Sequence, residues 1–156
     1  MGGALNESLR DFLDANPVGV LATATPSGRP RQSLVYYVRD GERLLISTLS
    51  DRLKAHDVRR SGWASLCVMA HEPPYPSATF SGSAEIIIEN IGAPTARIMQ
   101  RIAQAAEAPQ PMSDAALAEA GRVVLAITVQ RVTAANYIDA AAGGNSGSAK
   151  TRPSAR

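Results

Sequence analysis

Residues 46–60 (ISTLSDRLKAHDVRR) carry the densest set of side chains able to grip an anion. Ser47 and Thr48 close an apolar, β-type run, and Arg52 and Lys54 open the stretch that follows. Phosphate binding favours that order. Hydroxyls donate at short range, a helix N-terminus presents free N–H groups, and an arginine can hold two oxygens at once. Lys54 is the only lysine in the first 149 residues, arginine filling every other basic position there. The competing reading is a solvated helix face on which Asp51 and Asp57 neutralise the cations. Spacing alone tilts slightly towards it.

Other chemistry is thinly represented. There is no G-x-S-x-G, no H-E-x-x-H, no P-loop and no G-x-G-x-x-G. His56 and His71 stand apart, with no carboxylate at ligand spacing, so no metal site is expected. Cys67 is the only cysteine, which excludes an intramolecular disulfide and a cysteine-cluster zinc site. Between Leu66 and Val68 it reads as a buried, inert thiol. Tyr36, Tyr37 and Tyr75 could donate protons or contact a ring, but a strand tyrosine is more often packing. No catalytic residue is assigned.

The elements that position residues 46–60 follow from the hydrophobic pattern. Leu5, Leu9, Phe12 and Leu13 recur at helical spacing, with Asn6 or Ser8 as cap, and Asn16-Pro17 stops that helix. Strands are expected at 18–24, 31–38 and 43–48, the last two joined through Asp40-Gly41. A short helix over 51–61 takes Ser50 or Asp51 as its cap. Strands at 63–70 and 79–89 follow, with the prolines of 72–76 between them and Gly82 marking a bulge or a close backbone approach. A helix opened by Pro94, a shorter helical piece over 113–120 and a last strand at 122–138 complete the pattern. Six strands joined mainly by hairpins imply an α+β, mainly β fold: a six-stranded antiparallel split barrel with helical decoration.

Charge separates body from tail. The whole chain carries 16 basic and 14 acidic residues, a net of +2. Residues 142–156 hold Lys150, Arg152 and Arg156 and no acid, which leaves 1–141 at a net of −1. That balance argues against a dedicated duplex-DNA binder, and 4% aromatic residues argue against a stacking platform for single strands. The chain reads as one domain, 1–141, followed by a Gly/Ser-rich tail, 142–156, expected to be flexible. Neither a secretory leader nor an apolar run of spanning length is seen, so a cytoplasmic location and no membrane partner are expected.

Residues 18–69 resemble the pyridoxamine 5′-phosphate oxidase-like split β-barrel family, and most closely its actinobacterial branch that binds the deazaflavin coenzyme F420. The motifs that carry the resemblance are GVLAT at 19–23, Gly28-Arg29-Pro30, and the hydroxyl pair followed by Arg52 and Lys54. Ser81-Gly82-Ser83-Ala84-Glu85 continues it on a later strand. The resemblance implies a homodimer with flavin-type sites at the subunit interface and hydride transfer to a conjugated small molecule. It puts Ser47, Thr48, Arg52 and Lys54 where the family binds the cofactor phosphate. It also puts Gln32, Ser33, Leu34 and Val35 along the tricyclic ring, mainly through backbone atoms. FMN is the alternative cofactor, and a flavin- or haem-type binding protein without turnover is the alternative of another class. Arg29, Arg31, Arg59 and Arg60 are candidate partners for the acidic tail of F420. Ser61-Gly62-Trp63 and the loop at 72–76 depart from the family pattern.

Overall fold

Asn6 starts the first helix, its side-chain oxygen accepting from the Leu9 N–H at 2.9 Å. That helix, α1 (Glu7–Ala15), buries Leu9 and Leu13 and stops before Asn16-Pro17. The computed structural model describes residues 3–135. The expected domain end at 141 and the tail at 142–156 lie outside them. After α1 come β1 (Val18–Ala24), β2 (Pro30–Tyr36), β3 (Val38–Asp40) and β4 (Arg43–Leu49). Then follow α2 (Leu53–Ser61), β5 (Trp63–Met69) and β6 (Ser77–Ile87). The helices α3 (Gly92–Ala103) and α4 (Asp114–Glu119) precede the last strand, β7 (Arg122–Ala135).

The strands form one antiparallel sheet in the order β2-β1-β5-β6-β7-β4-β3. Its two outermost strands, β2 and β3, are consecutive in sequence with only Tyr37 between them. The sheet therefore curls until its edges meet at that residue, giving the split half-barrel. The described residues form seven strands rather than the six expected, because the single strand expected over 31–38 bends at Tyr37 and changes partner. Its first part pairs with β1 and its second with β4.

Tyr37 is fully buried, and its hydroxyl donates to the carbonyls of Leu13, at 2.8 Å, and Asn16. Arg101 of α3 lies over the ring, 5.2 Å from its centroid, and donates to the carbonyls of Tyr37, Leu13 and Asp14. Burial pushes the phenol well above its ordinary pKa, against a smaller opposing pull from Arg101. Tyr37 is thus a structural lock between α1, the corner and α3, not a proton donor. Tyr37→Phe takes the hydroxyl donor from the Asn16 carbonyl and leaves the Leu13 carbonyl with Arg101 alone, and should cost roughly 1–3 kcal/mol of unfolding free energy. A denaturant melt superimposing on the parent's would show that the hydroxyl contributes nothing to the corner beyond what Arg101 supplies.

Two apolar layers result. Inside the curl, Leu21, Ile46, Leu66, Phe80 and Leu125 pack with Leu9 and Leu13 of α1 and Val58 of α2. Outside β4 and β7, Leu45, Val124 and Ala126 are covered by Ile98 of α3 and Leu117 of α4. The helix expected to run on past 103 stops there because Gln104 takes a left-handed φ of 51°. No described helix is long and apolar enough to cross a membrane.

Candidate functional site

The bend at Tyr37 creates the split. β2 is hydrogen-bonded only to β1, while β4 meets β3 only over 43–45. Beyond the corner, the free edge of β2 at 32–35 and that of β4 at 46–49 have no ladder between them. Unpaired strand edges present backbone N–H and C=O groups to whatever lies alongside. Alternation puts Ser33 on the inner side with buried Val35, and Gln32 with Leu34 on the outer side, where Leu34 is 76% exposed. The four residues therefore share an edge rather than a face, and only their backbone can meet one ligand together.

The same alternation separates the two hydroxyls. Thr48 lies on the inner side with Leu44 and Ile46, whereas Ser47 lies on the outer side with Leu45. The hydroxyl of Ser47 is buried and has no hydrogen-bond partner among the described residues. Such a group costs about 1–3 kcal/mol unless something satisfies it.

Arg52, not Ser50 or Asp51, is the N-cap of α2, with φ −72° and ψ 144°. Ser50 is engaged elsewhere: its carbonyl and its hydroxyl each accept from Arg59 at 2.8 Å. The first N–H groups of α2 consequently have no side-chain cap, which suits an anion. Lys54 is half-buried, and burial first, then the neighbouring Arg52, lowers its pKa from the ordinary lysine value. Among the described residues neither Arg52 nor Lys54 forms an ion pair.

The acids expected to neutralise them are differently disposed. Asp57 is 2% exposed and accepts from Thr23 of β1 at 2.9 Å, from Arg31 of β2 at 2.8 Å and from Arg60 at 3.2 Å. Arg60 also donates to the Ala24 carbonyl. Burial alone would raise the Asp57 carboxyl, but the donors Arg31, Thr23 and Arg60 outweigh it and hold the pKa low. Asp51 forms no ion pair among the described residues. Of the four arginines considered for an acidic tail, Arg31, Arg59 and Arg60 are thus engaged within the chain. Among the described residues, Arg29 alone of the four has no side-chain partner.

The Asp57 cluster was missed in the sequence, although a signal was present. Thr23 is the one polar residue on the inner face of β1, and it faces Arg31 directly across the β1–β2 ladder. A second correction concerns Cys67, which is exposed rather than buried. Alternation along β5 puts it on the outer side with exposed Trp63 and Met69. His56 and His71 are not brought together with other ligands: no three His, Cys, Asp or Glu of the described residues gather as a metal site. Gly62, in the segment Ser61-Gly62-Trp63, caps the C-terminus of α2 at a φ of 65°.

A cleft of about 650 Å³ lies between the β3–β4 hairpin, the end of β6 and α3. Its lining includes Asp40, Arg43, Leu45, Ile87 and Arg97 but none of the residues of the split. Its cations are occupied: Arg43 pairs with Asp40, and Arg97 donates to the Arg39 carbonyl.

Residues 5–136 match the family model described as pyridoxamine 5′-phosphate oxidase. No curated protein matches the chain. Among solved structures, a conserved hypothetical protein from Mycobacterium tuberculosis is 21% identical with a TM-score of 0.67, over 83% of this chain and 84% of that one. An F420 reductase from Mycobacterium smegmatis is 22% identical with a TM-score of 0.66, over 83% of this chain and 98% of its own. A haem storage protein from Vibrio cholerae is 15% identical with a TM-score of 0.62, over 83% and 93%. At these identities the likeness is one of fold.

Proposed function

This chain belongs to the pyridoxamine 5′-phosphate oxidase family, and from that premise we propose that it is an oxidoreductase holding coenzyme F420 in the split between β2 and β4. The carrying observation is a pair of cations, Arg52 and Lys54, without acid partners among the described residues, at the uncapped start of α2. Arg31, Arg59 and Arg60 nearby are engaged within the chain, so this pair is the part of the site left to receive a phosphate. In this reading Arg52 and Lys54 hold the phosphate, the Ser47 or Thr48 hydroxyl donates to it, and the free edge of β2 at 32–35 aligns the ring. When bound, such a cofactor carries the hydride itself, and the protein supplies binding, orientation and electrostatics. The absence of a visible acid–base dyad fits that division of labour. The F420 reductase among the structural neighbours supports the choice of deazaflavin.

One observation favours FMN as the second reading. With Arg31, Arg59 and Arg60 engaged internally, Arg29 is the only one of the four arginines left for an acidic tail. The test is an absorbance titration of the full chain with F420 and with FMN separately, and with haem as a third arm. Saturable F420 binding, tighter than FMN, is the expected result. Binding of neither flavin type overturns the proposal, and haem binding alone would assign the chain to the haem-binding class instead.

The proposal extends to a homodimer. Leu34, Trp63 and Met69 are 76%, 42% and 51% exposed. With Cys67 they share the outer side of β2, β1 and β5, where α3 packs at the Tyr36 end of β2 and leaves these side chains exposed. Exposed apolar side chains gathered on one sheet face in this way mark an interface, and a second copy would cover them while closing the outer wall of the split. Light scattering at micromolar concentration with cofactor bound should report a dimer. A monomer there would refute it.

A further inference from the structure

We infer that Asp57 is the positioning residue of this site, setting the distance between the strand edge that aligns the ring and the helix that holds the phosphate. The inference rests on the cofactor reading above. β2 is an edge strand whose free side is the split, so its ladder to β1 fixes it on one side only. Asp57 supplies the other constraint. It sits on α2 three residues after Lys54, and its carboxylate is 2.8 Å from Nε of Arg31, the residue immediately before Gln32. Thr23 and Arg60 complete the grip, and the Arg60 contact to the Ala24 carbonyl draws the end of β1 onto the same helix. One buried carboxylate thereby joins β1, β2 and α2 at the base of the split.

Charge and position make opposite forecasts, and this gives the inference its test. Asp57→Asn deletes a negative charge close to the proposed phosphate site. Coulomb attraction alone would then strengthen anion binding. If Asp57 positions the two lips, binding weakens instead, because two contacts made at once demand a fixed separation.

The experiment measures F420 and FMN affinity by absorbance titration of the full chain for the parent, Asp57→Asn, Lys54→Ala and the double variant, with thermal melts confirming folded protein. Asp57→Asn should weaken binding about tenfold, and Lys54→Ala should cost less in that background than in the parent, since coupled contacts are not additive. Arg31→Lys covers the case in which Asp57→Asn does not fold. It keeps the charge, loses the Nε–H donor at that geometry, and should weaken binding several-fold with the same non-additivity. Unchanged or tighter binding in whichever of these variants folds, with a full Lys54→Ala effect in the parent, overturns the positioning role alone. A parent that binds neither cofactor, or binds without regard to Lys54, overturns the cofactor reading and this inference with it.

Discussion

Gly82→Ala should strip the barrel of most of its stability, by about 3 kcal/mol or more, the upper range for forcing extra atoms into a packed interior. A Cβ at that position would stand 1.9 Å from the Thr128 carbonyl oxygen and 3.0 Å from the Gln130 nitrogen. Both are backbone atoms of β7, so no side chain can rotate out of the way. The position is also where β6 and β7 slip register, with Ser81 facing Arg131 and Gly82 facing Val129. Gln130 is thus the extra residue of a bulge, and the bulge lets two long central strands coil around the interior core. Relief would require moving β7, which pairs with β4 on its other side. Gly28→Ala is the contrast: its φ is +82°, but nothing lies within 4 Å of a Cβ there. It should cost only about 1–2 kcal/mol of left-handed strain. Circular-dichroism melts of both variants decide the matter, and a Gly82→Ala melting temperature within a few degrees of the parent would mean that β7 yields easily.

Gly82 was legible in the sequence because a glycine inside a strand pattern weakens the strand, and a bulge or a close backbone approach is what makes it worthwhile. So were β1, whose bounds follow from seven small or apolar residues between Pro17 and the turn at 25–29, and the Asn6 cap. What escaped was whatever depends on a distant partner. Nothing local marks Tyr37 as a corner, since two consecutive tyrosines inside a β-type run look like continuing strand. The bend is imposed by Leu13, Asn16 and Arg101, which lie 21 or more residues away in sequence. The α2 cap escaped for a similar reason: Ser50 is a good cap by type, but Arg59 claims both of its oxygens. Most instructive is Asp57. Counted along the helix it sits three residues from Lys54, close enough to cancel it, yet the sheet delivers Arg31 and Thr23 to its carboxylate first. Taking that acid away from Lys54 changes the balance between a solvated helix face and an anion site.

With Asp57 engaged by the sheet, Lys54→Ala and Arg52→Ala should each weaken cofactor binding about tenfold to a hundredfold. A hydrogen bond to a charged group contributes roughly 1.5–3 kcal/mol, and about 1.4 kcal/mol is one decade in Kd. Neither change should threaten the fold, because neither side chain is paired with an acid in the described structure. Arg52 is an exposed cation that carries little folding energy, and removing the half-buried Lys54 ammonium also removes its desolvation cost. Arg52→Lys should lose more than charge conservation suggests, since the planar guanidinium fork is gone. Lys54 has a further signature. Burial and the adjacent Arg52 already hold its ammonium below the ordinary lysine value, and only the charged form attracts phosphate. As pH rises the ammonium is lost earlier than in a solvated lysine, so affinity should begin to fall at a lower pH than that residue type normally dictates. Lys54→Arg keeps the charge at every accessible pH and should flatten that dependence. The measurements are titrations of the full chain with F420 and FMN at several pH values and two salt concentrations. If both alanine variants bind as tightly as the parent, the phosphate lies elsewhere, and the start of α2 is the solvated helix face that residue spacing alone slightly favours.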